Sequence, residues 1–332
     1  MILNYRHTQP RDLSECYPLI EDRSYYTPVE QSRLLSFWRY LLKGRMANSV
    51  VVEDLGRPLG RRILFFGMTV FVSDDFSRGV RTTFPPPLSR RLFESWLQGR
   101  QYSLGRKEIA WGNSKEGLNL ALIHIGYKQG LSPHEMIPLN FRVQEAFFQF
   151  HSGFQIKEYM LDIFTEEHGA AIANHDGRVV RKYGGGPIRV PREGSLKPLY
   201  LMGAKRDEEA RPTGRSSLLN LFHAARPRFG FSAGEKDVLE KALFGETDKQ
   251  ISRSLDLTLW AIKKRWQGVY EKVERLHPQL LLSTSGPPDD LPKDSKAERR
   301  RYLLDYLRHH LEEIRPTLTP HRKNAAVKSS RA

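Results

Sequence analysis

Lys263 and Lys264 each lie within one helical turn of Gln267, in a stretch whose apolar positions Ile262, Trp266, Val269 and Val273 recur at helical spacing. Lys and Gln can donate hydrogen bonds to base edges, and an apolar back would hold such a helix against its own domain. That pattern suits docking in the major groove of double-stranded DNA. Thr258 stands where it would cap this helix. With Arg265 and the amides of the first turn, it is expected to hold phosphates. Thr258, Lys263, Lys264, Arg265 and Gln267 are therefore the expected DNA-binding residues.

Elsewhere the chemistry-bearing residue types are scattered. His124 sits in an apolar run and reads as a core residue. His168 and His175 flank a hairpin near Glu166 and Glu167, at a spacing common by chance. Asp74-Asp75 reads as a solvated turn. Phe141, Phe147, Phe148, Phe150, Phe154 and Tyr159 crowd one stretch and read as core, although an apolar pocket would be built from the same residues. Cys16 is the single cysteine, which excludes an internal disulfide and a Cys-based zinc site. No nucleophile stands beside a base, so no catalytic residue, no metal site and no cofactor are expected.

The elements around Lys263 are legible from their ends. Ser232 and Glu235 form the pattern of a capping box, opening a helix that carries Val238, Leu239, Ala242 and Leu243 on one face. Gly245 ends it. Thr247-Asp248 opens a second helix with Ile251 and Leu255 one turn apart, and a short Asp256-Leu257 connection leads to Thr258.

Over residues 231–276 this segment resembles, without a gap, the LuxR-type helix-turn-helix of bacterial transcription regulators. Phe231-Ser232, Glu235, Val238 and Leu239 match the family's opening, and Gly245, Thr247, Asp248, Ile251 and Ser252 its centre. Leu255, Leu257, Thr258, Ile262-Lys263, Val269, Lys272 and Val273 match the remainder. Asp256 replaces a usual Gly, Arg265 a common His, and Leu259-Trp260 a usually polar pair. The resemblance implies a DNA-binding transcriptional regulator whose third helix reads the major groove, commonly on two-fold sites. A homodimer is expected with it.

The net charge of +15 and the pI near 9.9 favour a polyanionic partner, because each Lys or Arg placed on a phosphate releases counterions. The longest apolar run, Ile63 to Val72, is far short of the roughly 20 residues that span a bilayer. The N-terminal residues lack the plan of a signal peptide. A cytoplasmic protein without a membrane partner is expected.

At 332 residues the chain exceeds one typical domain. Residues 1–225 alternate strand-like and helix-like stretches and are expected to form an α+β or α/β domain that senses a small-molecule effector of unknown kind. Strands are expected near 2–6, 49–53, 63–72, 118–127 and 199–202, with a hairpin turning at Asp176-Gly177 between 170–173 and 179–183. Helices are expected over 11–21, 31–45, 88–98 and 141–151. An all-α helix-turn-helix domain follows over 226–282, then a linker over 283–295. An amphipathic helix over 296–315 carries the stripe Leu303, Leu307, Leu311 and Ile314, which either pairs with its copy or folds back. A basic tail closes the chain over 316–332.

The opening, a strand ending in Arg6 and a helix beginning near Asp12, resembles the start of the Gcn5-related N-acetyltransferases. Those enzymes hold a coenzyme pyrophosphate on a [QR]-x-x-G-x-[GA] loop that opens a helix. The nearest matches are Arg57-Pro58-Leu59-Gly60-Arg61-Arg62 and Arg211-Pro212-Thr213-Gly214-Arg215-Ser216, each with a bulkier last residue. The expectation from the residues is a regulator and not an enzyme. An acetyltransferase-like enzyme fused to a DNA-binding module is the alternative.

Overall fold

The computed structural model describes residues 1–84, 87–173, 178–183, 198–209, 219–222, 225–281 and 296–318. Seven strands form one sheet: β1 (Leu3–His7), β2 (Ala47–Asp54), β3 (Ile63–Val72), β4 (Leu118–Tyr127), β5 (Ile156–Ile163), β6 (Arg178–Lys182) and β7 (Tyr200–Lys205). Their order is β1-β2-β3-β4-β5-β7-β6. Every neighbouring pair is antiparallel except β4 and β5, which are parallel. β3 reads ILFFGMTVFV and is buried along its whole length, because helices cover both faces of the sheet.

On one face lie α1 (Leu13–Cys16), α2 (Pro28–Lys43), α3 (Asp74–Thr82) and α4 (Leu88–Leu97), packing Leu34, Trp38, Phe76 and Phe93 against Val51, Phe66, Met68 and Met160. On the other lie α5 (Arg106–Ser114) and α6 (Pro133–His151), the latter crossing from β4 to β5. There Leu139, Ala146 and Phe150 meet Val50, Val52 and Phe65. After β5 comes α7 (Glu166–Ala173), and after β7 come α8 (Arg206–Glu209) and α9 (Leu219–Phe222). The side chains of Leu221 and Phe222 join Leu118, Ile156 and Tyr159.

The boundaries expected for β3 and β4 hold to the residue, and those of α4 to within one. Residues 170–173 do not form the first strand of a hairpin. They end α7, where a run rich in alanine follows its helix propensity. Asp74 and Asp75 open α3 behind the Ser73 cap rather than lying in a turn. The hairpin turn at 174–177, the Gly/Pro-rich loop over 184–197 and the linker over 283–295 lie outside the described residues. At the chain start, Arg6 donates to Asp12 at 2.6 and 3.2 Å and to Glu53 at 3.1 Å, tying the end of β1 to the entry of α1.

A separate core holds the C-terminal helices α10 (Ala233–Leu243), α11 (Asp248–Leu255), α12 (Leu259–Leu276) and α13 (Lys296–His309). Capping boxes at Ser232/Glu235 and Thr247/Gln250 start α10 and α11, and Thr258 caps α12. Asp256 takes the left-handed conformation at φ 53° between α11 and α12, as its short polar side chain allows. Trp266 donates to Asp248 at 3.2 Å and lies under the Arg300 guanidinium.

The stripe Leu303, Leu307, Leu311 and Ile314 is buried against Val238, Leu239, Val269 and Val273. It folds back onto its own chain, the second of the two expected alternatives. Past it the chain locks the two cores together. Arg315 donates to the carbonyls of Gln149 at 2.7 Å and Ser152 at 2.9 Å, capping the C-terminal end of α6, and Lys236 donates to the Arg315 carbonyl at 2.6 Å. Asp237 accepts from Arg45 and Arg106, and Phe244 packs on His7 and Phe150.

Ending the chain at Ser295 removes four aliphatic side chains from the second core, each contributing about 1.5 to 3 kcal/mol by burial. The truncated chain should lose the thermal transition of α10–α12 while sedimenting at the same oligomeric state. A truncated chain in which α10–α12 stay fully helical and melt cooperatively above 37 °C would contradict this packing.

Candidate functional site

β4 and β5 pair from Leu118↔Ile156 to Leu122↔Leu161 and then part, although β4 runs on to Tyr127. At the point of parting, the register with β3 steps from Thr69↔Leu122 to Met68↔His124. Ile123 is thus an extra residue, a β-bulge that bends the strand away from its partner. A cavity of about 620 Å³ occupies the opening and touches both helical layers. On the α6 side it is walled by Val50, Phe65, Val143, Phe147 and Phe150; on the other it meets Asp22, Ile123, Asp162 and Phe164. Four of the six crowded aromatics, Phe147, Phe148, Phe150 and Tyr159, line it, whereas Phe141 is exposed and Phe154 lies under Arg315.

Asp22 is fixed by three side chains. The Trp38 indole can only donate, and it donates to His124 Nε2 at 3.0 Å. The ring proton therefore sits on Nδ1 and is donated to Asp22 Oδ1 at 3.1 Å. Ser89 donates to the other Asp22 oxygen. His124 is a satisfied buried residue, as its apolar surroundings in the sequence suggested, and its work is to orient Asp22. Asp162 accepts from the Leu88 amide at 2.5 Å and the Tyr183 hydroxyl at 2.6 Å. Burial, with Asp22 nearby, raises its carboxyl to about 6 in spite of those two donors. The Nδ2 of Asn48, also on the cavity wall, meets no hydrogen-bond partner among the described residues.

On the same wall, His151 accepts from Thr69 at 2.7 Å and donates through Nδ1 to the Phe147 carbonyl at 2.6 Å. Burial lowers it to about 3, so it is neutral at physiological pH. Sequence reasoning passed over Asp22, Asp162 and Asn48. A carboxylate inside the apolar run Tyr159–Phe164 was the one signal available for Asp162. Asp22 lies in a 3-10 turn without a pattern.

The loop from β4 into α6 is where an anion would meet bare amides. Here the Ser132 amide and hydroxyl both donate to Glu135, at 2.9 and 3.0 Å, and Arg57 donates to the same carboxylate at 2.9 Å. An acidic side chain of the chain itself therefore occupies the Ser132 amide and Arg57 at this helix N-terminus. Residues 57–62 form the turn between β2 and β3, and 211–216 lie outside the described residues. Neither stretch is shown to cradle a phosphate.

On α12, Lys263, Lys264 and Gln267 are exposed on one face. Gln267 donates to Glu271 at 2.9 Å, and the Lys264 ammonium lies 5.1 Å from the exposed Trp260 ring. Thr258 accepts from the Ala261 amide at 3.2 Å. Arg265 turns away from this face and donates to the Gly234 carbonyl at 3.3 Å. No group of three His, Cys, Asp or Glu among the described residues could hold a metal ion. No helix among them is long and apolar enough to cross a membrane.

No family model matches the chain, and no curated protein matches it. The LuxR-type resemblance of residues 231–276 therefore rests on the sequence positions alone. The solved structures that the chain matches include acetyltransferases of the GNAT family. The C-terminal condensation domain of Ebony, in complex with beta-alanyl-dopamine, is 13% identical with a TM-score of 0.36, over 62% of this chain and 100% of that one. Spermidine/spermine N-acetyltransferase SpeG from Vibrio cholerae is 10% identical with a TM-score of 0.35, over 64% and 97%. A GNAT-family acetyltransferase from Streptococcus pneumoniae is 13% identical with a TM-score of 0.32, over 61% and 99%. Likenesses of this size show neither an activity nor a family for this chain. The expectation that the chain is not an enzyme is withdrawn: acetyltransferases stand among the solved structures it matches, at a likeness that shows no activity for this chain.

The raised Asp162 carboxyl binds its proton more tightly in the folded chain than in the unfolded one. Its contribution to stability is complete below about pH 4 and is lost as pH rises to about 6, by roughly 3 kcal/mol at about 1.4 kcal/mol per pH unit. Asp162→Asn should therefore gain on the wild type between pH 4 and 6.5 in urea unfolding, and hold that gain above it. A difference between the two that does not change with pH would count against a buried, raised carboxyl.

Proposed function

We propose that this chain joins an acyl-transfer domain of the acetyltransferase kind, residues 1–225, to a DNA-binding helical module of the LuxR type, residues 226–282. One observation carries the first half: parallel strands that part at a bulge, leaving an opening that both helical layers reach, with a raised carboxylate on its wall. In such an opening an amine can approach an acyl thioester from the opposite face. Nitrogen bonds to the carbonyl carbon, one nitrogen proton passes to Asp162, the carbon–sulfur bond breaks with its electron pair on sulfur, and the thiolate takes the proton from Asp162 as it leaves as thiol. A carboxyl near 6 is matched to taking a proton at neutral pH.

The closed N-terminus of α6 constrains the donor. Because Glu135 fills the place of a phosphate, the reading expects S-acetyl-N-acetylcysteamine, which has no phosphate, to serve about as well as acetyl-CoA in thiol-release assays. Glu135→Ala frees the Ser132 amide and the Arg57 Nη2 donor, while Arg57 stays paired with Asp54, and should tighten acetyl-CoA binding about tenfold by calorimetry, the scale of one charge-assisted contact. No thiol release with either donor across a panel of amines would remove the acyl-transfer reading.

The second half is supported by the three capped helices, the left-handed Asp256 turn and the exposed face of Lys263, Lys264 and Gln267. Those three would meet base edges and Thr258 a phosphate. Arg265 would act by holding α12 on α10, where its guanidinium lies. On a site obtained by selection from random duplexes, the triple Ala variant should lose about 1 to 3 kcal/mol per base-reading residue, with unchanged circular dichroism. Full-strength binding by the triple variant would remove the assignment of α12 as the reading helix.

A further inference from the structure

The cavity itself points to a ligand. Its charged residues are of one sign: Glu21, Asp22 and Asp162 lie on its wall, and among the described residues that line it none is Lys or Arg. The one lining histidine, His151, is buried with both ring nitrogens in hydrogen bonds. An anionic head group would have to be desolvated beside carboxylates with no cation to meet it, which is among the costliest arrangements in a protein. An ammonium meets the opposite case. Asp22 and Asp162 are already oriented by donors from Ser89, His124, Leu88 and Tyr183, and each carboxylate oxygen keeps lone-pair capacity for a further donor.

Most of the rest of the wall is apolar, with Asn48, Thr69, Asn140, Gln144 and His151 as uncharged polar residues among it. Val50, Phe65, Leu120, Val143, Phe147 and Phe150 enclose the α6 side, and the volume of about 620 Å³ is within the range of small-molecule sites. A short hydrophilic amine would leave these walls wet. Carboxylates at one end and aromatic walls at the other, joined through the gap beside Ile123, fit a molecule of the same polarity.

We infer that the cavity binds a primary amine with an extended apolar body, its ammonium between Asp22 and Asp162 and its body passing between β4 and β5 against α6. The inference names the acceptor for the acyl-transfer reading and rests on that reading for the consequence, but the binding stands on the cavity alone. Charge selects the head and length sets the affinity. Val143, on the wall facing the gap, limits how far the body can extend.

Calorimetry on the full chain with n-decylamine, n-butylamine and decanoate tests this. Decylamine should bind about three orders of magnitude more tightly than butylamine, because six more buried methylenes each multiply the association constant about fourfold. Decanoate, of equal length and opposite charge, should not bind. Val143→Phe narrows the chamber on the α6 side, away from the carboxylates. It should abolish the preference for decylamine while leaving the circular dichroism spectrum unchanged. Equal affinity for decylamine and decanoate, or for decylamine and butylamine, overturns the inference. So does a Val143→Phe chain that is native and still prefers decylamine. The two readings fail separately. Decylamine binding without acetylation of any amine upholds the ligand class and removes the transfer reading, whereas acetylation of a hydrophilic polyamine without decylamine binding does the reverse.

Discussion

Two parallel strands that pair over five positions and then separate set the terms for the N-terminal domain. A parallel connection needs a crossover, and α6 supplies it by running from the end of β4 back to the start of β5. Because the Ile123 bulge turns β4 off its partner, the sheet cannot close above Leu122 and Leu161. Unpaired backbone and a gap through a buried sheet are costly unless something uses them. The cavity, the oriented carboxylates and the aromatic wall of α6 all follow from that separation.

The same helix ties the two halves of the chain together. Its C-terminal carbonyls would be orphaned beside Phe154, and Arg315 satisfies two of them from the far end of the sequence. Burial pulls the guanidinium down to about 10, where it is still charged at neutral pH. Glu313, just before it, accepts from the amides of Arg228 and Phe229 at the entry to the helical module. One short segment, Glu313 to Thr317, therefore holds α6, α10 and the approach to α10 in register. A ligand that displaced α6 would act on a helix that Arg315, packed with the second core, caps.

Legibility in the sequence followed locality. β3 and β4 were readable because uninterrupted apolar runs bounded by turns leave few alternatives, and α10 to α12 were readable because their caps are written in Ser232, Thr247 and Thr258. β5 was not, since its Lys157, Glu158 and Asp162 break the apolar run; Glu158 accepts from Ser77 and Asp162 from Tyr183. The fold-back of Leu303, Leu307, Leu311 and Ile314 was undecided for the same reason: a stripe fixes that a face is buried, not against what. Asp22 depends on Trp38, His124 and Ser89, three residues brought together only by the layers, and no spacing within the chain could have found it.

The most direct test is methyl NMR of isoleucine-labelled full-length chain titrated with decylamine. Ile123, Ile125 and Ile163 line the opening, while Ile251 and Ile262 belong to the separate core of the helical module. Saturable shifts of the first three, with Ile251 and Ile262 moving less, are the expected result. Shifts absent from Ile123, Ile125 and Ile163, or largest in the helical module, would show that the separation of β4 and β5 is not a binding site.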